Sequence, residues 1–160
     1  MRNPTPAIAA AVRAGVTHEV HLIKHDPSVT AYGQEAAEAL GVEPGRVFKT
    51  LVNSVDGKLV VAVVPVTGEL NLKALAVAMG AKSAEMADRA TAERSTGYVT
   101  GGISPIGQKR RLPTVIDDSA ASWPTIFVSG GRRGLELELT PGDLVGLTEG
   151  RLASIGRSRS

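Results

Sequence analysis

Between Arg94 and Pro113 the chain concentrates groups able to bind an anion or a developing oxyanion. Gly97, Gly101, Gly102 and Gly107 are interleaved with Tyr98, Ser104 and Pro105, and Lys109-Arg110-Arg111 follows directly. Glycine lets backbone N–H groups approach a ligand because no side chain intervenes. Proline fixes the path of the loop, and the basic triplet supplies charge for an anionic partner. A second segment, Ser129-Gly130-Gly131-Arg132-Arg133-Gly134, repeats the combination. Two readings are open for the pair: opposite walls of one anion-binding pocket, or flexible turns whose arginines form solvated faces.

Several familiar chemistries are excluded by spacing. Gly102-Ile103-Ser104-Pro105-Ile106 lacks the small fifth residue of a nucleophile elbow, so Ser104 is not expected as a triad nucleophile. Gly102 to Gly107 has the spacing of a phosphate-binding loop, but Gln108 stands where its lysine belongs. The chain has no cysteine, which removes thiolate catalysis, disulfides and cysteine-ligated zinc. On an extended strand His18 and His21 point to opposite faces. His21 and His25 would stand roughly 13 Å apart, too far to share a metal ion. No metal and no cofactor is expected, and His25-Asp26-Pro27 reads as a strand-ending turn.

Lys49 lies in Val47-Phe48-Lys49-Thr50-Leu51-Val52, where strand alternation puts it on the same face as Val47 and Leu51. A lysine there must extend to water, find a partner or bind an anion. An edge-strand lysine that discourages aggregation is the competing reading.

The elements that must position these residues are legible in outline. Thr5-Pro6 opens a helix over 7–14, closed by Gly15. A strand is expected over 18–24 and a short helix over 34–40, ended by Gly41. The β-rich runs 47–55 and 58–64 flank Asp56-Gly57, a hairpin signature. Asn71 caps a helix through Met79, and Asp88 caps another through Glu93. Short strands follow at 114–117, 125–129 and 134–139. Thr140-Pro141-Gly142-Asp143 opens a last helix. The alternation predicts an α/β fold: a single compact domain over 1–156 with a mixed, partly antiparallel sheet surrounded by helices. Residues 157–160 read as a disordered polar tail.

Composition sets the outer bounds. The chain has 160 residues, enough for one domain with a normal core. Aromatics make up 3 %, too few rings for a general single-strand nucleic-acid binder. A net charge of +2 permits nucleic-acid contact without requiring it. No signal pattern and no membrane-length apolar run is present, so a cytoplasmic protein is expected.

Taken together, Phe48-Lys49-Thr50-Leu51, Glu85-Met86-Ala87-Asp88, Ser95-Thr96-Gly97-Tyr98, the string from Gly101 to Lys109, Leu112-Pro113-Thr114, Ile116-Asp117, Val128-Ser129-Gly130-Gly131 and Arg133-Gly134-Leu135 resemble the YbaK family. Its members are freestanding editing proteins related to the insertion domain of bacterial prolyl-tRNA synthetase. The resemblance spans nearly the whole chain in order and is nearest the Cys-tRNA(Pro) deacylase branch. It implies a partly barrel-like sheet and hydrolysis of the ester joining a mischarged amino acid to the terminal ribose of tRNA, alongside prolyl-tRNA synthetase.

Carried across by position, Lys49, Gly101 and Gly102 match the catalytic positions. Lys49 would hold the terminal adenosine or its phosphate, and the glycines would face the ester. Tyr32, Thr50, Tyr98, Ser104, Pro105, Ser129 and Glu136 fall at substrate-pocket positions. Lys109, Arg110, Arg111, Arg132 and Arg133 are expected to meet tRNA. Tyr32 stands where relatives often carry phenylalanine, Ile23 where tyrosine is expected, and Glu136 where aspartate is. In the cysteine branch the substrate's own thiol attacks its carbonyl, so no protein nucleophile is needed. An Ala-tRNA(Pro) deacylase, a non-catalytic tRNA- or synthetase-binding module and a small-ligand binder are the alternatives.

Overall fold

A computed structural model describes residues 4–24 and 32–158. The central feature is a hairpin of β2 (Phe48–Val55) and β3 (Lys58–Pro65), in register from Phe48 opposite Pro65 to Val55 opposite Lys58. Asp56 (φ 48°) and Gly57 (φ 84°) close it in two residues, both left-handed, as a tight hairpin turn requires. β5 (Ala84–Met86) flanks β2, while β6 (Thr114–Asp117) and β9 (Arg151–Ala153) extend the sheet beyond β3. The order β5-β2-β3-β6-β9 mixes antiparallel and parallel pairings. Val60 to Val64 are all buried, because both faces of the central strand are covered.

A second, antiparallel sheet runs β1 (Glu19–Leu22), β8 (Leu135–Leu139), β7 (Ile126–Ser129). Strand alternation divides the core. Phe48, Val52, Val61 and Val63 pack against Val128, Leu137 and Leu139 between the two sheets. Val55, Val60, Ala62 and Val64 face the other way, onto Leu75 of α3 (Leu72–Ala78). The sheets meet at a bridge between Val47 and Phe127. Among the described residues they do not close into a barrel, so the partly barrel-like expectation reduces to two layers joined at a corner.

The helices begin where their capping residues dictate. Thr5 accepts from Ile8 N–H at the head of α1 (Pro6–Arg13). Asn71, Asp88 and Thr140 do the same for α3, α4 (Arg89–Thr96) and α5 (Pro141–Thr148). The helix expected from Gln34 starts at Tyr32 and forms α2 (Tyr32–Leu40).

The polar tail needs correction. Gly156–Ser158 forms β10, paired with β4 (Gly68–Leu70), and only the last two residues lie outside the described chain. Buried Asp117 anchors this strand by accepting from the N–H groups of Ile155 (3.0 Å) and Gly156 (2.8 Å). Carboxylate hydrogen bonding of this kind outweighs the entropy that frays an unanchored terminus.

Candidate active site

β5 pairs with β2 only from Asn53 to Val55. Val52 C=O still accepts from Ala87 N–H, but beyond it no strand among the described residues pairs with this edge of β2, which is left free. Backbone groups alternate sides along a strand, so those of Thr50 turn to the same edge as those of Val52. A cavity of about 510 Å³ opens there, between the free edge and the second sheet. Lys49, Thr50, Gly101, Ser129, Arg133 and Glu136 line it, with Tyr32 at the α2 side.

Polar side chains gather on the cavity walls. Thr50 Oγ1 is buried and has no hydrogen-bond partner among the described residues. An orphan of this kind is expensive in a native core, and a ligand-binding role accounts for it. Lys49 Nζ donates to the carbonyl of Gly68 at 3.0 Å, so the ammonium is held at the cavity margin. Glu136 is 3 % exposed. Tyr32 Oη donates to Glu136 Oε2 at 3.3 Å and accepts from Gly134 N–H at 2.7 Å. Burial pushes the Glu136 carboxyl up to about 7, which the Tyr32 hydrogen bond only partly offsets. Burial, with the neighbouring Glu136 charge, also holds the Tyr32 phenol well above its ordinary value. The Arg133 guanidinium lies 5.0 Å from the centre of the Tyr32 ring.

The glycine loop is a built structure. α4 ends at Gly97 (φ 82°), and the N–H groups of Lys109 and Arg110 return to the carbonyls of Thr96 and Ser95. Gly101 (φ 96°) reaches the cavity. Gly102 N–H is spent on Val99 C=O at 2.9 Å, whereas among the described residues no such bond engages Gly101 N–H. Gly101 is therefore the available donor. Gly102 serves packing, since a Cβ there would stand 2.6 Å from Arg132 Cα. The two glycine segments thus adjoin and form one wall, and β2 forms the wall across from them.

Three expected pocket residues turn inward. Tyr98 is buried in the core and donates to Ile106 C=O at 2.6 Å across the loop. Ser104 is fully buried, accepting from Ile106 N–H, while its carbonyl accepts from Gln108. Pro105 lines a separate groove behind the loop. None of the three lines the main cavity; they hold the loop that presents Gly101. Ile23 is likewise a core residue, packed with Val47, Val66 and Phe127. Lys109, Arg110, Arg111 and Arg132 are at the surface, and Arg111 pairs with Glu149 at 2.8 Å.

His18 and His21, the two described histidines, each have their own partners. His18 Nδ1 lies 2.7 Å from Val16 C=O. His21 Nε2 lies 2.9 Å from Glu138 Oε1 and 3.8 Å from Glu19 Oε2, and Arg46 already faces the other oxygen of Glu138. The turn expected at 25–27 lies outside the described residues.

Sequence reasoning missed Met86 and Arg89, which line the cavity rim. Met86 is half exposed although apolar, a feature that burial alone can reveal.

This fold and this site define a tRNA-editing domain. The chain belongs to the aminoacyl-tRNA editing domain family, whose model matches residues 25–147. A protein of Enterococcus faecalis, provisionally named a Cys-tRNA(Pro)/Cys-tRNA(Cys) deacylase, is 47 % identical over 124 residues, 76 % of this chain and 75 % of that protein. A proline–tRNA ligase of Maridesulfovibrio salexigens is 33 % identical over 101 residues, covering 63 % of this chain but 17 % of the ligase. A crystal structure provisionally described as a trans-editing enzyme for prolyl-tRNA synthetase superposes with a TM-score of 0.84 at 25 % identity, covering 96 % of both chains.

Proposed function

We propose that this chain is a freestanding aminoacyl-tRNA deacylase that removes cysteine mischarged onto tRNA(Pro). The observation that carries this reading is the cavity in which Lys49, the orphaned Thr50 hydroxyl and Gly101 meet; Ser129 also lines it, but its Oγ accepts from Gly131 N–H and no histidine is among the described lining residues to activate a hydroxyl. Ser104 is sealed under the loop and the chain has no cysteine. An ester-cleaving site built this way fits a substrate that carries its own nucleophile.

In the proposed reaction the cysteine sulfur attacks the ester carbonyl. A C–S bond forms and the bond from the carbonyl carbon to the ribose oxygen breaks. The thiol proton ends on the departing ribose hydroxyl, and cysteine leaves as a thiolactone that water then opens. Intramolecular attack depends chiefly on positioning. Gly101 N–H is the donor for the developing oxyanion, a contribution of about 3–4 kcal/mol for a well-aimed group. Lys49 holds the terminal adenosine or its phosphate. Lys109, Arg110 and Arg132 at the surface meet tRNA phosphates, and the protein works in the cytoplasm with prolyl-tRNA synthetase as supplier of the mischarged product.

The test is hydrolysis of Cys-, Ala- and Pro-tRNA(Pro) by wild type and by Lys49→Ala. Fast release of cysteine alone, reduced at least about 100-fold in the folded variant, is expected. Release of alanine instead would replace the cysteine assignment, and release from none of the three would overturn the enzymatic reading.

A further inference from the structure

Glu136 is a buried carboxyl without a cation among the described residues. It stands on β8, directly across from Ser129 of β7 and His21 of β1. His21 is committed to Glu138, two residues along the same strand. Arg133, in the loop before β8, lies over the Tyr32 ring. Lys49, on β2, reaches Gly68. Tyr32 of α2 and Arg89 of α4 line the same cavity. Among the described residues no ion pair reaches Glu136, and its hydrogen bond comes from a neutral phenol. A buried carboxylate is costly unless a cation joins it. The fold nevertheless braces this one: Gly134 N–H fixes Tyr32 Oη, and Tyr32 Oη fixes one carboxyl oxygen. That leaves the second oxygen for whatever enters the cavity.

Every aminoacyl ester carries an ammonium group one carbon from the carbonyl that reacts. We infer that Glu136 is the specificity-determining residue that receives this α-ammonium, with Tyr32 as its positioning residue, so that the pocket accepts free aminoacyl esters and rejects N-acylated ones such as peptidyl-tRNA. The inference rests on the deacylase reading and extends it.

The experiment compares Cys-tRNA(Pro) with N-acetyl-Cys-tRNA(Pro) as substrates of wild type, Glu136→Gln, Glu136→Asp and Tyr32→Phe, each checked for folding by circular dichroism. Acetylation is expected to lower the wild-type kcat/KM about 10- to 100-fold, the range set by one hydrogen bond to a charged group. Glu136→Gln should lose a similar factor on the free ester and treat the two esters alike. Glu136→Asp should recover part of the preference, and Tyr32→Phe should reduce it several-fold. For the free ester, kcat/KM should fall in wild type as pH drops below about 7 and the carboxyl protonates, and Glu136→Gln should lose that limb. If Glu136→Gln does not fold, an unchanged preference in Tyr32→Phe and Glu136→Asp overturns the inference. Equal wild-type rates on the two esters, or a preference that survives in Glu136→Gln, also overturn it while leaving the deacylase reading intact. Wild type inert on every ester removes both.

Discussion

Gly102 lies against the backbone of Arg132 so closely that a Cβ on the glycine would sit 2.6 Å from the arginine Cα and 2.9 Å from the nitrogen of Arg133. This close approach joins the two glycine segments into one wall. It also separates the roles of two neighbouring glycines. Gly101 is confined by its backbone (φ 96°) but has room, the nearest atoms being the Arg133 guanidinium at 3.7 Å. Gly102 is confined by space.

The two alanine variants should therefore behave differently. Gly102→Ala must displace backbone and is expected to cost about 1–3 kcal/mol of stability, as overpacking does. Gly101→Ala meets no clash but holds an L-residue at positive φ, a cost of about 1–2 kcal/mol. Urea unfolding of both, beside deacylation rates, checks this. Gly101→Ala should remain folded and lose activity; activity retained in folded Gly101→Ala would remove its N–H from the mechanism.

Thr50→Val removes the orphaned hydroxyl while keeping the shape of the side chain. Deleting an unsatisfied buried polar group should leave stability unchanged or raise it by up to about 1–2 kcal/mol. Activity should fall if that hydroxyl serves the substrate. A variant that is both less stable and fully active would show the hydroxyl to be structural.

Glu136 sets a pH dependence of stability with a definite sign. Its folded value, about 7, is above the ordinary 4.5, so the folded state binds the proton more tightly than the unfolded chain. The stability it contributes is present below about 4.5 and is lost as pH rises through about 7. At pH 8 Glu136→Gln should be more stable than wild type by on the order of 3 kcal/mol, and near pH 4 the two should converge. Denaturation midpoints at the two pH values decide it. A variant stabilised at neutral pH but impaired in deacylation is what a buried group kept for function predicts.

Lys109 and Arg110 lie at the surface beside the glycine loop, outside the ion pair that engages Arg111. Neutralising both is expected to weaken tRNA binding and to lower the salt slope of the affinity by about 1 for each phosphate no longer neutralised. Filter binding across a salt series measures the slope, and an unchanged slope would move tRNA binding away from this face.

The residues themselves determined what is local. The Thr5, Asn71, Asp88 and Thr140 caps, the Asp56-Gly57 hairpin, the alternation of β2 and the glycine loop all follow from preferences acting within a few residues, and each appears where the sequence puts it. So do Lys49 and Thr50, neighbours on one strand that both border the cavity. The tertiary structure alone decided which loop residues look outward. Gly101 does, while Tyr98 and Ser104 spend their hydroxyls on the loop itself. It also decided the three-residue strands β4, β5, β9 and β10, too short to show a pattern and held by partners distant in sequence. The site depends on one of them, because β5 stops where the free edge of β2 begins. The Tyr32–Glu136 pair, 104 positions apart, lies beyond any local rule. Local propensity acts over a few neighbours, whereas a buried carboxyl finds its phenol only when two layers of the fold close on each other.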